Sequence, residues 1–301
     1  QRQLWAALGQ VKLISRYSDF FSEHNLVCAQ VLTTKENFSS RGHYLNMNNC
    51  DATLLENEVI PIVNENDTIS VTELMFTDND ELSGLIASMV NSEALILLSN
   101  VDGVYSAHPN DKNAQLIEKI ELDEKEPENA ISDEQSDFGR GGMLTKFRIS
   151  QKVAGDGIGV HVANGTTENV LIDLLDTQKK LRHTYFVPNA KSNKGVKKWL
   201  GYSDGFAKGE VVVNEGAVKA LNSEKAVSLL PVGIVKTITE FEKGDLIKIV
   251  DEVGGFVGVG KAGYSSKRLE LEKTSDKQKP IVHYDYLYLE PNRVTNSRKK
   301  E

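Results

Sequence analysis

Short apolar runs alternate with longer helical stretches, and no other feature constrains this chain as strongly. The runs are Leu26–Leu32, EVIPIV (58–63), ALILLS (94–99) and GIGVHVA (157–163), each the length of one buried strand. Residues 4–22 place apolar side chains at three- and four-residue spacing, as an amphipathic helix does. Helical stretches also fit 44–55, 79–91 with Asp78 or Asn79 as N-cap, and 141–155, which is opened by two glycines. Strands alternating with helices predict a βαβ series and a mainly parallel sheet covered on both faces. Ligands of such sheets bind beyond the carboxyl ends of the strands. The polar strings at 64–67 and 99–103 directly follow apolar runs, so both are expected to line one crevice.

A second texture begins near residue 197. Short apolar runs punctuated by glycine (GEVVVNEGAVKAL, SLLPVGIV, GDLIKIV, GGFVGVGKAGYSS) indicate a small β-rich domain, a barrel in outline. The polar, lysine-rich stretch before it reads as a linker, and 291–301 reads as a frayed tail. At 301 residues the chain is long enough for two cores. Its 40% hydrophobic and 26% charged residues exclude disorder as the main organisation.

The net charge is −8, yet residues 195–301 balance at +3, so the acidity lies in the first part and argues against a nucleic-acid surface there. Seventeen residues at 121–137 hold eight acids against one lysine and read as a solvated loop or lid. Cys28 and Cys50 stand apart without CxxC spacing, and the histidines lack HxH or HExxH spacing, so no protein-held metal is expected. No apolar run has the length of a membrane span and no signal peptide opens the chain; the expected location is cytoplasmic, with no membrane partner. The chain starts at Gln1, directly in helix-like sequence, and is expected to be a fragment.

Three constellations carry chemistry. Asn64-Glu65-Asn66-Asp67 offers carboxylates for an ammonium group and amides for carboxylates, although the same residues favour turns. Asp78-Asn79-Asp80 opens a helix, where unpaired N–H groups suit an anion; one of the three would suffice as a cap. Gly139-Arg140-Gly141-Gly142-Met143-Leu144-Thr145-Lys146 lets backbone approach a phosphate and adds a lysine, but it is not a GxxxxGK[ST] loop and is weak alone. Combined, they suggest phosphoryl transfer to a small substrate.

IPIVNENDTISV, FTDNDELSGLIA, LLSNVDGVY, GRGGMLTK and RGHYLNMNN resemble the successive motifs of the glutamate 5-kinases, in the amino acid kinase family. GEVVVNEGAVKAL, SLLPVGIV, FEKGDLIKIVD and GYSS are similar to the PUA domain that many bacterial members carry. The resemblance runs from residue 1 to about 275. It implies a three-layer α/β/α kinase domain with a mainly parallel sheet over 1–178, truncated at its N-terminus, a linker over 179–196 and a small β-barrel-like PUA domain over 197–290.

It implies ATP and Mg²⁺ as cofactors, L-glutamate as substrate, and γ-glutamyl phosphate, the first intermediate of proline synthesis, as product. By position, Asp67 and Asn79 would bind glutamate with Asn64 nearby. Asp80 would organise the lysines, and Lys146 would stabilise the transferring phosphoryl group. Ser99, Asn100 and the segment Arg140, Gly141, Gly142, Met143, Leu144, Thr145 and Lys146 would hold the nucleotide.

The sequence departs from the family at Asn100, where an acid is common, and at Arg140, where threonine is common. Family members also begin with a strand and a Gly-rich loop bearing a second catalytic lysine, followed by a Ser-Gly-Ala segment, which this sequence does not contain. An alternative reading is therefore a catalytically incomplete fragment, or a regulatory or RNA-binding PUA protein. A homo-oligomer, feedback inhibition by proline and weak RNA contact are further implications of the resemblance.

Overall fold

The computed structural model describes residues 1–38, 40–70, 78–107, 113–122, 124, 142–176, 178–190, 195–223, 227–273 and 278–289. Arg140, Gly141, most of the acidic stretch 121–137 and the tail 291–301 lie outside these residues. The chain divides into two units, Gln1–Ser192 and Asn193–Glu301.

The first unit opens with α1 (Arg2–Ser22), followed by β1 (Val27–Thr33), a short 3-10 turn at Lys35–Phe38, and α2 (Arg41–Glu56). Ser40 caps α2 by accepting the His43 N–H. Next come β2 (Val59–Glu65), α3 (Asn79–Val90), β3 (Ala94–Ser99) and the short β4 (Lys119–Ile120). The unit closes with α4 (Met143–Gly155), β5 (Gly159–Asn164), α5 (Val170–Leu175) and β6 (His183–Phe186).

β1 and β2 pair in parallel, and a four-stranded sheet runs in the order β3-β5-β6-β4. Within it β3–β5 and β4–β6 are parallel and β5–β6 is antiparallel. One face of this sheet is covered by α4, whose Phe147, Val153 and Ala154 pack on Leu97, Val160, Val162 and Phe186. Val153, Val160 and Val162 are fully buried, each worth about 1.5–3 kcal/mol of apolar transfer. β6 falls within 179–196, the stretch read as a linker. Only four residues alternate there, Thr184 and Phe186 inward and His183 and Tyr185 outward, too few to stand out among flanking lysines.

In the second unit α6 (Gly195–Gly201) precedes β7 (Gly209–Val213), α7 (Glu215–Leu221), β8 (Ile234–Thr239), β9 (Leu246–Asp251), β10 (Phe256–Lys261), α8 (Ser266–Glu272) and β11 (Leu287–Leu289). The five strands form one sheet in the order β11-β10-β9-β7-β8, antiparallel except for β7–β9. Register shifts in β7 and β10 bend the sheet around a core that includes Val211, Ile247, Ile249, Leu269 and Val282. GEVVVNEGAVKAL splits into a strand and a helix because Asn214 interrupts it: its Oδ1 accepts the Ala217 N–H at 2.8 Å and starts α7.

Candidate active site

The β1 and β2 strands end side by side. Asn64 and Glu65 belong to β2 itself, with Glu65 in register with Thr33, so strand alternation sends their side chains to opposite faces and buries Glu65. The strand therefore runs two residues past the apolar run. Beyond it the chain turns tightly: the Asn66 carbonyl accepts the N–H groups of Ile69 and Ser70, and the Thr68 hydroxyl donates to the Asn66 side chain. The Asn66 N–H in turn donates to the Thr33 carbonyl at 2.6 Å, which anchors the turn holding half-buried Asp67 to the end of β1.

α3 begins at Asn79, with Asp78 as its N-cap; Asp78 Oδ1 accepts the Glu81 N–H at 3.0 Å. The other Asp78 oxygen is buried without a hydrogen-bond partner among the described residues. Burial raises the Asp78 carboxyl pKa, and the Glu81 N–H works against it. Asp80, in the same first turn, accepts from Lys146 at 2.6 Å, and the two side chains are only 16% and 15% exposed.

Lys146 sits in the first turn of α4, where its N–H donates to the carbonyl of the N-cap residue Gly142. Near their other ends the two helices meet again, Ser88 of α3 donating to Asp156 at the C-cap of α4 at 2.9 Å. α3 and α4 thus run alongside in one direction with both N-termini at the same place. Two positive helix ends and a lysine converge there, an arrangement suited to a polyanion. Gly142 leaves the first N–H groups of α4 without a side-chain cap. Met143 packs partly into the core beside Phe147, so what it can offer a ligand is its backbone N–H.

Ser99 and Asn100 lie at the carboxyl end of β3, where the Ser99 carbonyl accepts the Gly165 N–H at 2.8 Å. The end of β5 is therefore adjacent, and it brings residues that the motifs alone did not reveal. Asp102 accepts from Asn164 at 3.3 Å and from the Tyr105 hydroxyl at 3.3 Å, and it pairs with Arg182 at 3.5 Å. The available sequence signal was Asn164-Gly165 following an apolar run, the same pattern as 99–103. Gly103 is required by close approach, since a Cβ there would lie 2.3 Å from Thr184 Oγ1. That hydroxyl is committed, accepting the Val104 N–H and donating to the Ile117 carbonyl.

The structure joins Asp80 to Lys146 and Ser99 to the β5 end. Asn79 is exposed at the start of α3, while Arg140 and Gly141 lie outside the described residues.

Residues 1–164 match the model of the amino acid kinase family, and residues 209–282 match the PUA domain. A glutamate 5-kinase of Bacteroides thetaiotaomicron is 55% identical over 96% of this chain and 80% of its own length. The chain belongs to the glutamate 5-kinases of the amino acid kinase family. A second member, from Chlorobaculum tepidum, is 45% identical over 96% of this chain and 79% of its own. A third, from Hydrogenovibrio crunogenus, is 37% identical over 87% of this chain and 69% of its own. The kinase match covers the converging helix ends and the carboxyl ends of β1, β2, β3 and β5. Among the described residues no helix is long and apolar enough to cross a membrane.

Proposed function

We propose that the chain transfers the γ-phosphoryl group of ATP to the side-chain carboxylate of L-glutamate, giving γ-glutamyl phosphate and ADP, the first step of proline biosynthesis. The observation that carries this reading is the Lys146–Asp80 pair at the meeting of two helix N-termini. A carboxylate oxygen forms the new O–P bond while the bond from the γ-phosphorus to the β,γ-bridging oxygen breaks, and the electron pair leaves with ADP. The nucleophile is already anionic, so no general base is required. The work left to the protein is positioning and neutralisation of charge on the transferring group.

Asp67 and Asn79, with Asn64 nearby, hold glutamate in this scheme, the Asp67 carboxylate taking the ammonium. Asp80 keeps the Lys146 ammonium at the transfer point. The N–H groups of Gly142 to Thr145 meet phosphate oxygens, with Arg140 and Gly141 completing that segment, and Ser99 and Asn100 contact the nucleotide. Mg²⁺ would enter with ATP and neutralise phosphate charge. Among the described residues no group of three or more His, Cys, Asp or Glu is placed to hold a metal. The Asp78 oxygen that lacks a partner among the described residues fits a carboxylate such an ion commonly takes. The same reading carries a homo-oligomer, proline as a feedback inhibitor and weak RNA contact through 209–282.

The test is glutamate-dependent ADP release with Mg-ATP, with aspartate and uridylate as controls. Release with glutamate alone supports the reading. Release with a control substrate but not glutamate refutes it.

A further inference from the structure

We infer that Lys35 is a positioning residue for glutamate, a latch that sets the width of the substrate pocket by pinning the first turn of α3 to the β1–β2 ends. This deepens the function proposed above and rests on it. The two walls of that pocket come from different parts of the chain. Asp67 stands on the turn after β2, whereas Asn79 and Asp80 stand on the first turn of α3. The Lys35 ammonium reaches from the turn after β1 to the first turn of α3, donating to Glu81 Oε1 at 3.1 Å, with the two side chains 21% and 23% exposed.

Both ends of this bridge are held. On one side, Asn37 Oδ1 accepts the Thr34 N–H at 2.8 Å and the Thr34 hydroxyl at 3.0 Å, and the Asn37 N–H returns to the Thr34 carbonyl. Phe38 is 1% exposed and Thr33 equally so, which roots the turn that carries Lys35. The Thr33 carbonyl is also the acceptor for Asn66, so the base of the Lys35 turn and the base of the Asp67 turn are one hydrogen-bonded unit. On the other side, Glu81 is the residue whose N–H is capped by Asp78.

Asp80 and Glu81 are successive helical residues, about 100° apart around the axis. Their lysines accordingly arrive from different elements, Lys146 from α4 and Lys35 from the turn after β1. The first turn of α3 is clamped from two directions. One clamp serves the phosphoryl group, and the other fixes the distance from Asn79 to Asp67. A positioning error of about 1 Å is enough to cost a substrate-binding wall much of its effect.

The test compares Lys35→Met, Lys35→Arg, Glu81→Gln and the double variant Lys35→Met/Glu81→Gln in the full chain. Steady-state ADP release and glutamate binding by titration calorimetry are the readouts, with ATP KM and Tm as controls. Lys35→Met is expected to raise the glutamate KM and Kd about fivefold, which is about 1 kcal/mol, with ATP KM unchanged and Tm lowered by no more than about 4 °C. Lys35→Arg is expected to recover most of the loss. The double variant is expected to be no worse than either single one, because the two residues act through each other. Unchanged glutamate KM and Kd in Lys35→Met, or losses that multiply in the double variant, would overturn the latch while leaving the proposed function intact. Failure of the unaltered chain to bind or phosphorylate glutamate would overturn both.

Discussion

Replacing Lys146 with methionine removes the charge of the lysine while keeping most of its stem, and the structure sets how much should be lost. Nζ lies 2.6 Å from Asp80 Oδ2 in a site about one-sixth exposed. At an effective dielectric of about 20 the direct attraction is about 6 kcal/mol, most of it offset by the desolvation of both groups. Loss of a preorganised charged donor aimed at a transferring group typically costs about 2.7–4 kcal/mol, or a factor of about 10²–10³ in kcat. Glutamate is held by Asp67, Asn79 and Asn64 in the proposed scheme, so its KM should stay within about threefold.

Folding stability should fall less than for a fully buried pair, because the N-terminus of α3 retains about 0.3–1 kcal/mol of favourable interaction with Asp80. A loss of about 2 kcal/mol corresponds to about 4–8 °C in Tm for a unit the size of Gln1–Ser192. The assay is initial-rate ADP release across a matrix of glutamate and ATP concentrations, paired with a thermal melt. A kcat within threefold of the unaltered chain, with glutamate KM raised more than tenfold, would place Lys146 on glutamate and refute the assignment.

Asp67→Ala should give the reverse pattern, raising glutamate KM about tenfold or more with kcat changed little, as measured by the same initial-rate matrix. His161 stacks on Tyr185 at 4.6 Å beside His183, and its burial, with the neighbouring imidazole adding to it, lowers its pKa from 6.5 to about 4. Between those values the unfolded chain binds the extra proton, so stability should fall as pH drops from about 6.5 to 4; screening of the partly exposed ring limits this to about 1–2 kcal/mol. Denaturant midpoints across that range should show the slope, and His161→Phe should flatten it.

Asp51 on α2 is 1% exposed, neither carboxyl oxygen has a hydrogen-bond partner among the described residues, and burial raises its pKa. A raised carboxylate pKa destabilises increasingly as pH rises above the unfolded value, so Asp51→Leu should stabilise by about 1–3 kcal/mol at neutral pH and by less near pH 4. A destabilised Asp51→Leu variant in urea titration would show that the carboxylate has a role the fold needs.

Much of this protein could be read from the order of its residues because local chemistry decides it. The apolar runs at 94–99 and 157–163 become β3 and β5, and the periodic stretches become α1, α2, α3 and α4, since period and capping act within a few residues. Asp78 caps α3 as expected because an Asx side chain and the N–H three residues on are local partners. The motif residues 64–67 and 78–80 were visible as polar strings at element ends, and 142–146 as a glycine-opened helix start bearing a lysine, for the same reason.

Sequence order could not show which of those ends meet. Sixty-six positions separate Lys146 from Asp80, and only the side-by-side packing of α3 and α4 brings them to 2.6 Å. The Asp102–Asn164–Arg182 contacts depend on β3 and β5 being neighbours, and the Lys35–Glu81 bridge depends on the first turn of α3 lying beside the end of β1. The short strand β6 needed its sheet partners to be seen at all. Element identity follows from interactions between near neighbours in the chain, whereas the site is a set of long-range charge pairs. Tertiary packing alone determines their partners, because a side chain meets the groups closest in space, whatever their separation in sequence.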